Sequence, residues 1–412
     1  MPSLLALLLA CGGNKNVDTH PTPEPPAAPA PEAAPTVAAR VAGGASMAAP
    51  SPAYAPRAAG FARRFEEALA QPDANTATSG PSAAFVLGML AQGATGETAA
   101  AYTELFGADA EAVRIDDARA LAAYNHTDGV ELTVVNGLWP DEGTTLDPGV
   151  LSNLEMDYRA KPNTVPLTRD PANAKATIDA WTRGNTNGMI EELFTLDQLD
   201  DARLVLANAV AFKGRWQEPF DPAMTTEAAF AAPKGPVQVQ MMKKAQLTVP
   251  YTTGVGFAAV KLPYSGGTTS MIVVLPDEGK SLADAMDGLA ADNLAAMAGA
   301  RPMQVDLALP RFEIRTEHDL LQHAEALGLQ GVLGPGAVYA GYGGLIVGSA
   351  IQKVVVAVSE EGTEAAAATG VALKRAALAK PVTFHADRPF LFAIWHEPTG
   401  TPLFLGQVVD PS

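Results

Sequence analysis

The sequence predicts an α+β fold with large, mostly antiparallel sheets, on three observations. Segments with apolar residues at helical spacing come mainly early in the chain, strand-like runs bounded by Gly or Pro come mainly late, and the strand–helix alternation of a doubly wound fold is missing from the sequence. The 412 residues, 48% hydrophobic and 18% charged, suffice for one long domain with a large core. A net charge of -17 favours solubility and argues against nucleic acid as a partner, because no cationic stripe is available to neutralise phosphates. With 28 Lys and Arg against 45 acids, a patch for an anionic polysaccharide is not expected either.

The chain opens MPSLLALLLACGG. Leu4 to Ala10 is too short to span a bilayer and resembles the apolar region of a signal peptide. Leu8, Leu9, Ala10 and Cys11 resemble a bacterial lipobox, so residues 1–11 are expected to be a signal peptide and Cys11 a lipidation site on an exported, extracellular or outer-surface protein. No Lys or Arg precedes the apolar run, which leaves an ordinary secretory signal or a chance apolar terminus as alternatives. Cys11 is the only cysteine, so the body is expected to hold no disulfide, which a domain of this size does not need. Residues 12–57 are rich in Pro and Ala and cannot bury a core; they are expected to form a semi-rigid, extended tether.

Residues 58–412 are expected to form one folded domain. Phe61, Phe65 and Leu69 fall at helical spacing. After Ser79 and Ser82 comes SAAFVLGMLAQGATGETAAAYTELFG, apolar nearly all round at first and therefore a buried helix; Gly93 and Gly96 supply a turn, and Thr95 can cap the next helix. Glu131 to Trp139 reads as a strand, and Pro148 to Tyr158 and Pro171 to Gly184 read as helices. Leu204 to Phe212 reads as a long buried strand with Asn208 its lone polar residue. VQVQMM, GFAAVKLPY, SMIVVLP and VDLALPRFEI read as strands, and His318 to Leu327 as a helix between them and the end of the chain. PFLFAIWHEPTGTPLFLGQVV closes the chain as a hairpin turning at Glu397 to Thr401.

Signatures of catalysis are lacking. The six histidines are scattered, and His318 and His323 have no cysteine near them, so no metal site is expected. There is no GxSxG elbow or Walker loop, and GYGG at Gly341 to Gly344 reads as a turn. Glu360 and Glu361 as neighbours point oppositely on a strand and read as the solvated base of a loop. Neither an enzyme nor a cofactor is expected.

One stretch fits no single local structure. The run from Val354 to Val358 reads as a buried strand, and after it comes SEEGTEAAAATGVALKRAAL, Ser359 to Leu378. Its alanines favour helix, whereas Thr363, Thr369, Gly370 and Val371 oppose it. With period two, Thr363, Ala365, Ala367, Thr369, Val371 and Leu373 form one small or apolar face that could pass from solvent into a sheet without overpacking.

EEGTEAAAAT resembles the hinge of the reactive-centre loop of inhibitory serpins, and FHADRPFLFAI resembles the serpin signature beyond that loop. GATGET, the Thr-Asn-Gly turn in TRGNTNGMIEELF and LVLANAVAFKGRWQEPFDP resemble further serpin phrases, in order, over about Ala58 to Ser412. The resemblance implies the serpin fold, with helices, three mostly antiparallel β-sheets and an exposed reactive-centre loop at about residues 360–381. It also implies a monomeric inhibitor of serine, or cysteine, proteases. In that family, where loop insertion is an established example of a strand joining a sheet, the protease cleaves the loop, the hinge inserts into the central sheet, and the protease is trapped covalently.

Carried over residue by residue, the resemblance assigns the hinge to Glu360, Glu361, Gly362, Thr363, Glu364, Ala365, Ala366, Ala367, Ala368 and Thr369. The usual spacing from the hinge puts the reactive bond between Ala376 and Ala377, which suits an elastase-like target. Counting back from Pro389 gives Arg375–Ala376, which suits a trypsin-like one, with Leu378 third. Ser79, Ser82, Asn208 and Gln352 match positions that hydrogen-bond behind the sheet where the loop enters, and Gln352 stands where many serpins carry a histidine. The rival reading is a non-inhibitory serpin serving as a binding or scaffold protein at the cell surface.

Overall fold

The structure, a computed structural model, describes residues 48–124, 129–160, 162–361 and 380–412. At its centre lies β3 (Leu204–Gly214), apolar at nearly every position and buried on both faces, as a strand covered on two sides must be. It belongs to a four-stranded sheet in the order β2 (Val130–Pro140), β3, β10 (Ser349–Val358), β9 (Phe312–Asp319). The outer pairs, β2 with β3 and β9 with β10, are antiparallel. The central pair is parallel, from Ser349 opposite Val205 to Ala357 opposite Lys213.

Alternate residues of these strands serve two cores. Val210, Phe212, Val354, Val356 and Ile314 pack towards the second group of strands. Val205, Ala207, Ala209, Ala211, Ile351 and Val355 pack under α6 (Pro171–Asn185), with Ile178, Leu193 and Phe194 over them. Three of the β3 residues on that side are alanine, so the cover sits close to the sheet.

The second group runs β1 (Thr76–Thr78), β13 (Thr401–Val408), β12 (Phe390–His396), β7 (Thr269–Pro276), β6 (Phe257–Pro263), β5 (Val237–Gly254), β8 (Pro302–Pro310), β11 (Val382–His385), with β4 (Thr226–Phe230) also on β5. β5 pairs with β6 along Tyr251–Gly254 and with β8 along Met241–Pro250, and its register breaks between Lys244 and Leu247. The break is a bulge within the β5–β8 ladder; β5 passes to β6 only after Pro250, and so joins one sheet to the next. Among the described strands every pairing is antiparallel except β3–β10 and β8–β11.

Helices α1 (Tyr54–Leu69), α2 (Gly80–Ala91), α3 (Gly96–Phe106) and α4 (Ala110–Tyr124) cluster on one another, with α2 innermost. Gly80 permits this: a Cβ there would come 2.3 Å from the Ala62 Cα, so α1 and α2 cross backbone to backbone only because the residue is glycine. α5 (Pro148–Asp157) and α6 both start with Asp-Pro; Asp147 accepts from the Gly149 and Val150 amides and Asp170 from the Asn173 amide. Thr95 stands at the start of α3 as expected, but its side chain makes no capping bond.

The helix expected from His318 to Leu327 does not form. Pairing with β10 claims His318 and Asp319 as the end of β9, and residues 320–328 fold as turns. The Asp319 carboxylate accepts from the Leu321 and Gln322 amides, and Gly328 ends the stretch at φ 70°. The expected turn at GYGG is present: the Gly341 amide donates to the Gly93 carbonyl, the Tyr342 hydroxyl to the Met89 carbonyl, and Gly343 and Gly344 both have positive φ. Among the described residues no helix is long and apolar enough to cross a membrane, and no group of three His, Cys, Asp or Glu is placed to hold a metal.

Candidate functional site

Asn208 and Gln352 stand opposite each other in the parallel ladder between β3 and β10. Both are wholly buried, so their amides need partners, and they have them. Gln352 Nε2 donates to Asn208 Oδ1 at 2.5 Å and to the Ser79 carbonyl at 3.0 Å, while the Ser79 amide donates to Gln352 Oε1 at 3.2 Å. Asn208 Nδ2 donates to Ser82 Oγ at 2.6 Å and to Asn136 Oδ1 on β2. Ser79 Oγ donates to the Leu403 carbonyl of β13 at 2.7 Å. The start of α2, pressed against α1 at Gly80, thus bonds to both strands of the seam from beneath.

A second set of bonds closes the seam where β3 and β10 end. Because the strands are parallel, the chain leaving each emerges on the same side. Trp216 Nε1 donates to the Ser359 carbonyl at 2.8 Å, the Trp216 amide to the Glu361 carbonyl at 3.3 Å, and the Phe220 amide to the Glu360 carbonyl at 2.8 Å. The Trp216 ring stacks on Tyr264 with centroids 4.4 Å apart, and Gly214 leaves room for it, since a Cβ there would meet the Tyr264 ring at 2.6 Å.

Glu360 is not the solvated residue the sequence suggested. It is 4% exposed, and its Oε1 accepts from Arg311 Nη2 at 2.6 Å and Thr225 Oγ1 at 2.7 Å while Oε2 accepts from Arg311 Nε at 3.1 Å. Burial alone would raise its pKa, but the bonds from Arg311 and Thr225 outweigh burial and hold the carboxyl below its ordinary range. Glu361 is half-buried, and its carbonyl rather than its carboxylate makes the bond to the clamp. The base of the expected loop is therefore pinned through Glu360 and Glu361, beyond the last residue of β10.

Gly362, Thr363, Glu364, Ala365, Ala366, Ala367, Ala368, Thr369, Arg375, Ala376, Ala377 and Leu378 lie outside the described residues, as does Cys11. On the far side of that stretch β11 pairs in parallel with β8.

The family model of Serpin (serine protease inhibitor) matches residues 57–411. The chain belongs to the serpin family. The leukocyte elastase inhibitor of Bos taurus is 34% identical over 358 residues, covering 82% of this chain and 94% of that protein. The glia-derived nexin of Mus musculus is 33% identical over 362 residues, covering 83% of this chain and 89% of its own. Among solved structures, the native state of tengpin, a thermophilic serpin, superposes with a TM-score of 0.80 at 24% identity over 89% of this chain and 96% of that one, a likeness of fold.

In this serpin the structure brings Ser79, Ser82, Asn208 and Gln352 into one network and puts Glu360 and Glu361 in a separate clamp. Sequence reasoning missed Arg311, Thr225, Trp216 and Asn136. A lone cation at Arg311 between two apolar strands, and the indole and amide donors of RWQEPF directly after the longest buried strand, were the available signals.

Proposed function

We propose that this serpin inhibits serine proteases as a suicide substrate whose cleaved loop inserts between β3 and β10. The parallel central pair carries the reading. A segment that leaves β10 at Glu360–Gly362 and folds back between the two strands runs antiparallel to both, so one parallel ladder is replaced by two antiparallel ones, the more stable arrangement per residue. A new strand of about a dozen residues gains roughly one net hydrogen bond per residue at ~0.5 to 1.5 kcal/mol each. Insertion must first part Gln352 from Asn208 and loosen the clamp at Trp216 and Glu360, so the native form persists kinetically. Thr363, Ala365, Ala367 and Thr369 are small enough to enter a sheet on one face without overpacking.

The reactive bond in this reading is Ala376–Ala377, with Arg375–Ala376 second. A relative named as a leukocyte elastase inhibitor supports the first, because shallow apolar pockets accept alanine. The chain acts as a substrate-like inhibitor and not as an enzyme, and cysteine proteases are a further target class. We propose too that it is exported with Cys11 lipidated, which the mass of the mature amino-terminal peptide tests.

The function is tested by mixing the full chain with an elastase-like and, separately, a trypsin-like serine protease, followed by denaturing gels and intact mass. An adduct stable to denaturation, with release of the peptide that begins at Ala377 or Ala376, is expected. Clean cleavage by both enzymes without an adduct overturns the reading.

A further inference from the structure

Directly across the β9–β10 pairing from Gln352 stands a residue that the network described above does not include, His318. It is 7% exposed, and its Nε2 lies 3.0 Å from the Ala77 carbonyl of β1, two residues before Ser79. Thr316 Oγ1 donates to the same carbonyl at 2.6 Å. The segment Ala77–Ser79 is thus held from β9 by Thr316 and His318 and from β10 by Gln352, while α2, which continues it, is held to β3 by the Asn208–Ser82 bond. Parting β10 from β3 while α2 stays bonded to Asn208 draws β9 away with β10 and strips Ala77 of both donors.

We propose that His318 is a positioning residue for sheet opening and gates it by proton uptake, the imidazole being buried in the closed sheet and hydrated in the open one. This inference rests on the insertion reading above.

Burial holds the His318 pKa below the ordinary imidazole range, against the pull of the Ala77 carbonyl. The charged groups around it are few. Glu317 and Asp319 flank it on β9, Lys353 on β10 is paired with Glu317 at 2.9 Å, and His323 lies in the turns that follow. β1 and α2 bring no charged residue, and Glu66 of α1 is engaged by Thr78. A base with a depressed pKa in the closed state stabilises that state above its ordinary pKa and ceases to do so as pH falls. Opening therefore accelerates with acid, about tenfold for each unit by which the pKa rises when the sheet opens.

The test uses the full chain and a synthetic peptide of residues 363–374, whose uptake into the seam is followed by native electrophoresis and by the rise in unfolding midpoint. Uptake by the wild type should quicken as pH falls from about 7.5 to about 5.5, and uptake by His318→Gln, which keeps a donor that does not titrate, should be flat. Equal pH slopes in the two proteins, or a flat wild-type profile with uptake intact, overturn the proposal. Failure of the wild type to take up peptide at any pH overturns the insertion reading itself, and this inference falls with it; uptake by the wild type with none by a folded His318→Gln at any pH overturns the gate alone. Should His318→Gln fail to fold, the imidazole pKa in the wild type, followed by NMR, decides: a rise on peptide uptake supports the gate and no change overturns it.

Discussion

Arg311 and Glu360, 49 residues apart in the chain, meet through two hydrogen bonds at 2.6 and 3.1 Å, with the carboxylate buried and the guanidinium half exposed. The fork geometry of guanidinium and carboxylate fixes the direction in which the chain leaves β10. It thereby ties the gap between β8 and β9 to the base of the loop.

Replacing Arg311 by Leu removes both bonds and leaves the Glu360 carboxylate without its cation, with the Thr225 hydroxyl and a backbone amide as donors. A loss of roughly 1 to 3 kcal/mol is expected from unfolding in urea at neutral pH. Because the folded pKa of Glu360 is lowered, its stabilisation is present above the ordinary glutamate range and disappears as pH falls through the folded value. The gap between wild type and Arg311→Leu should accordingly close in acid. A gap unchanged from neutral to acid pH would mean that the pair does not carry the effect.

Glu66 behaves oppositely. On α1 it is fully buried, its Oε2 accepts from Thr78 Oγ1 at 3.1 Å, and Oε1 has no hydrogen-bond partner among the described residues. Burial pushes its pKa up to about 8, so the carboxyl is neutral in the native protein. Its favourable contribution is full below the ordinary glutamate pKa and is lost as pH rises through about 8. Glu66→Gln should stabilise the protein by an amount that grows about 1.4 kcal/mol per pH unit between about 4.5 and 8. Urea unfolding at both ends of that range checks it; equal gains at both would contradict a neutral Glu66.

Asn208 and Gln352 should be energetically coupled. Asn208→Leu or Gln352→Leu alone strands buried partners at a cost of roughly 1 to 3 kcal/mol. The double variant should cost less than the sum of the two by about 0.5 to 3 kcal/mol. Strict additivity in urea unfolding would mean that the 2.5 Å contact contributes nothing.

What the sequence disclosed follows from how local each feature is. β3 was legible because it is buried on both faces and is therefore apolar at almost every position. The β12–β13 hairpin was legible because both arms are apolar and the turn between them is short. The full length of β5 was not, since the register break between Lys244 and Leu247 interrupts the alternation. Leu320, Ala324 and Leu327 have helical spacing, yet pairing of β9 with β10 takes the residues that would have started the helix, a tertiary choice overriding a local one. The parallel direction of β3 and β10 and the burial of Glu360 both depend on partners distant in the chain, and no local pattern records them. Ser79, Ser82, Asn208 and Gln352 are legible only through family resemblance, whereas helical spacing places His318 at the start of a helix.

The central claim is that the seam between β3 and β10 must open for inhibition. Lys213 and Ala357 are register partners near the end from which the hinge departs, and Cys11 is the only native cysteine. The direct measurement is adduct formation with an elastase-like protease by the variant Cys11→Ser, Lys213→Cys, Ala357→Cys, oxidised and then reduced. Neighbouring strands lie close enough for a disulfide, about 5 Å between backbones. The oxidised protein should be cleaved as a plain substrate with no adduct, and reduction should restore the adduct. An oxidised, demonstrably cross-linked protein that still traps the protease would contradict insertion at this seam.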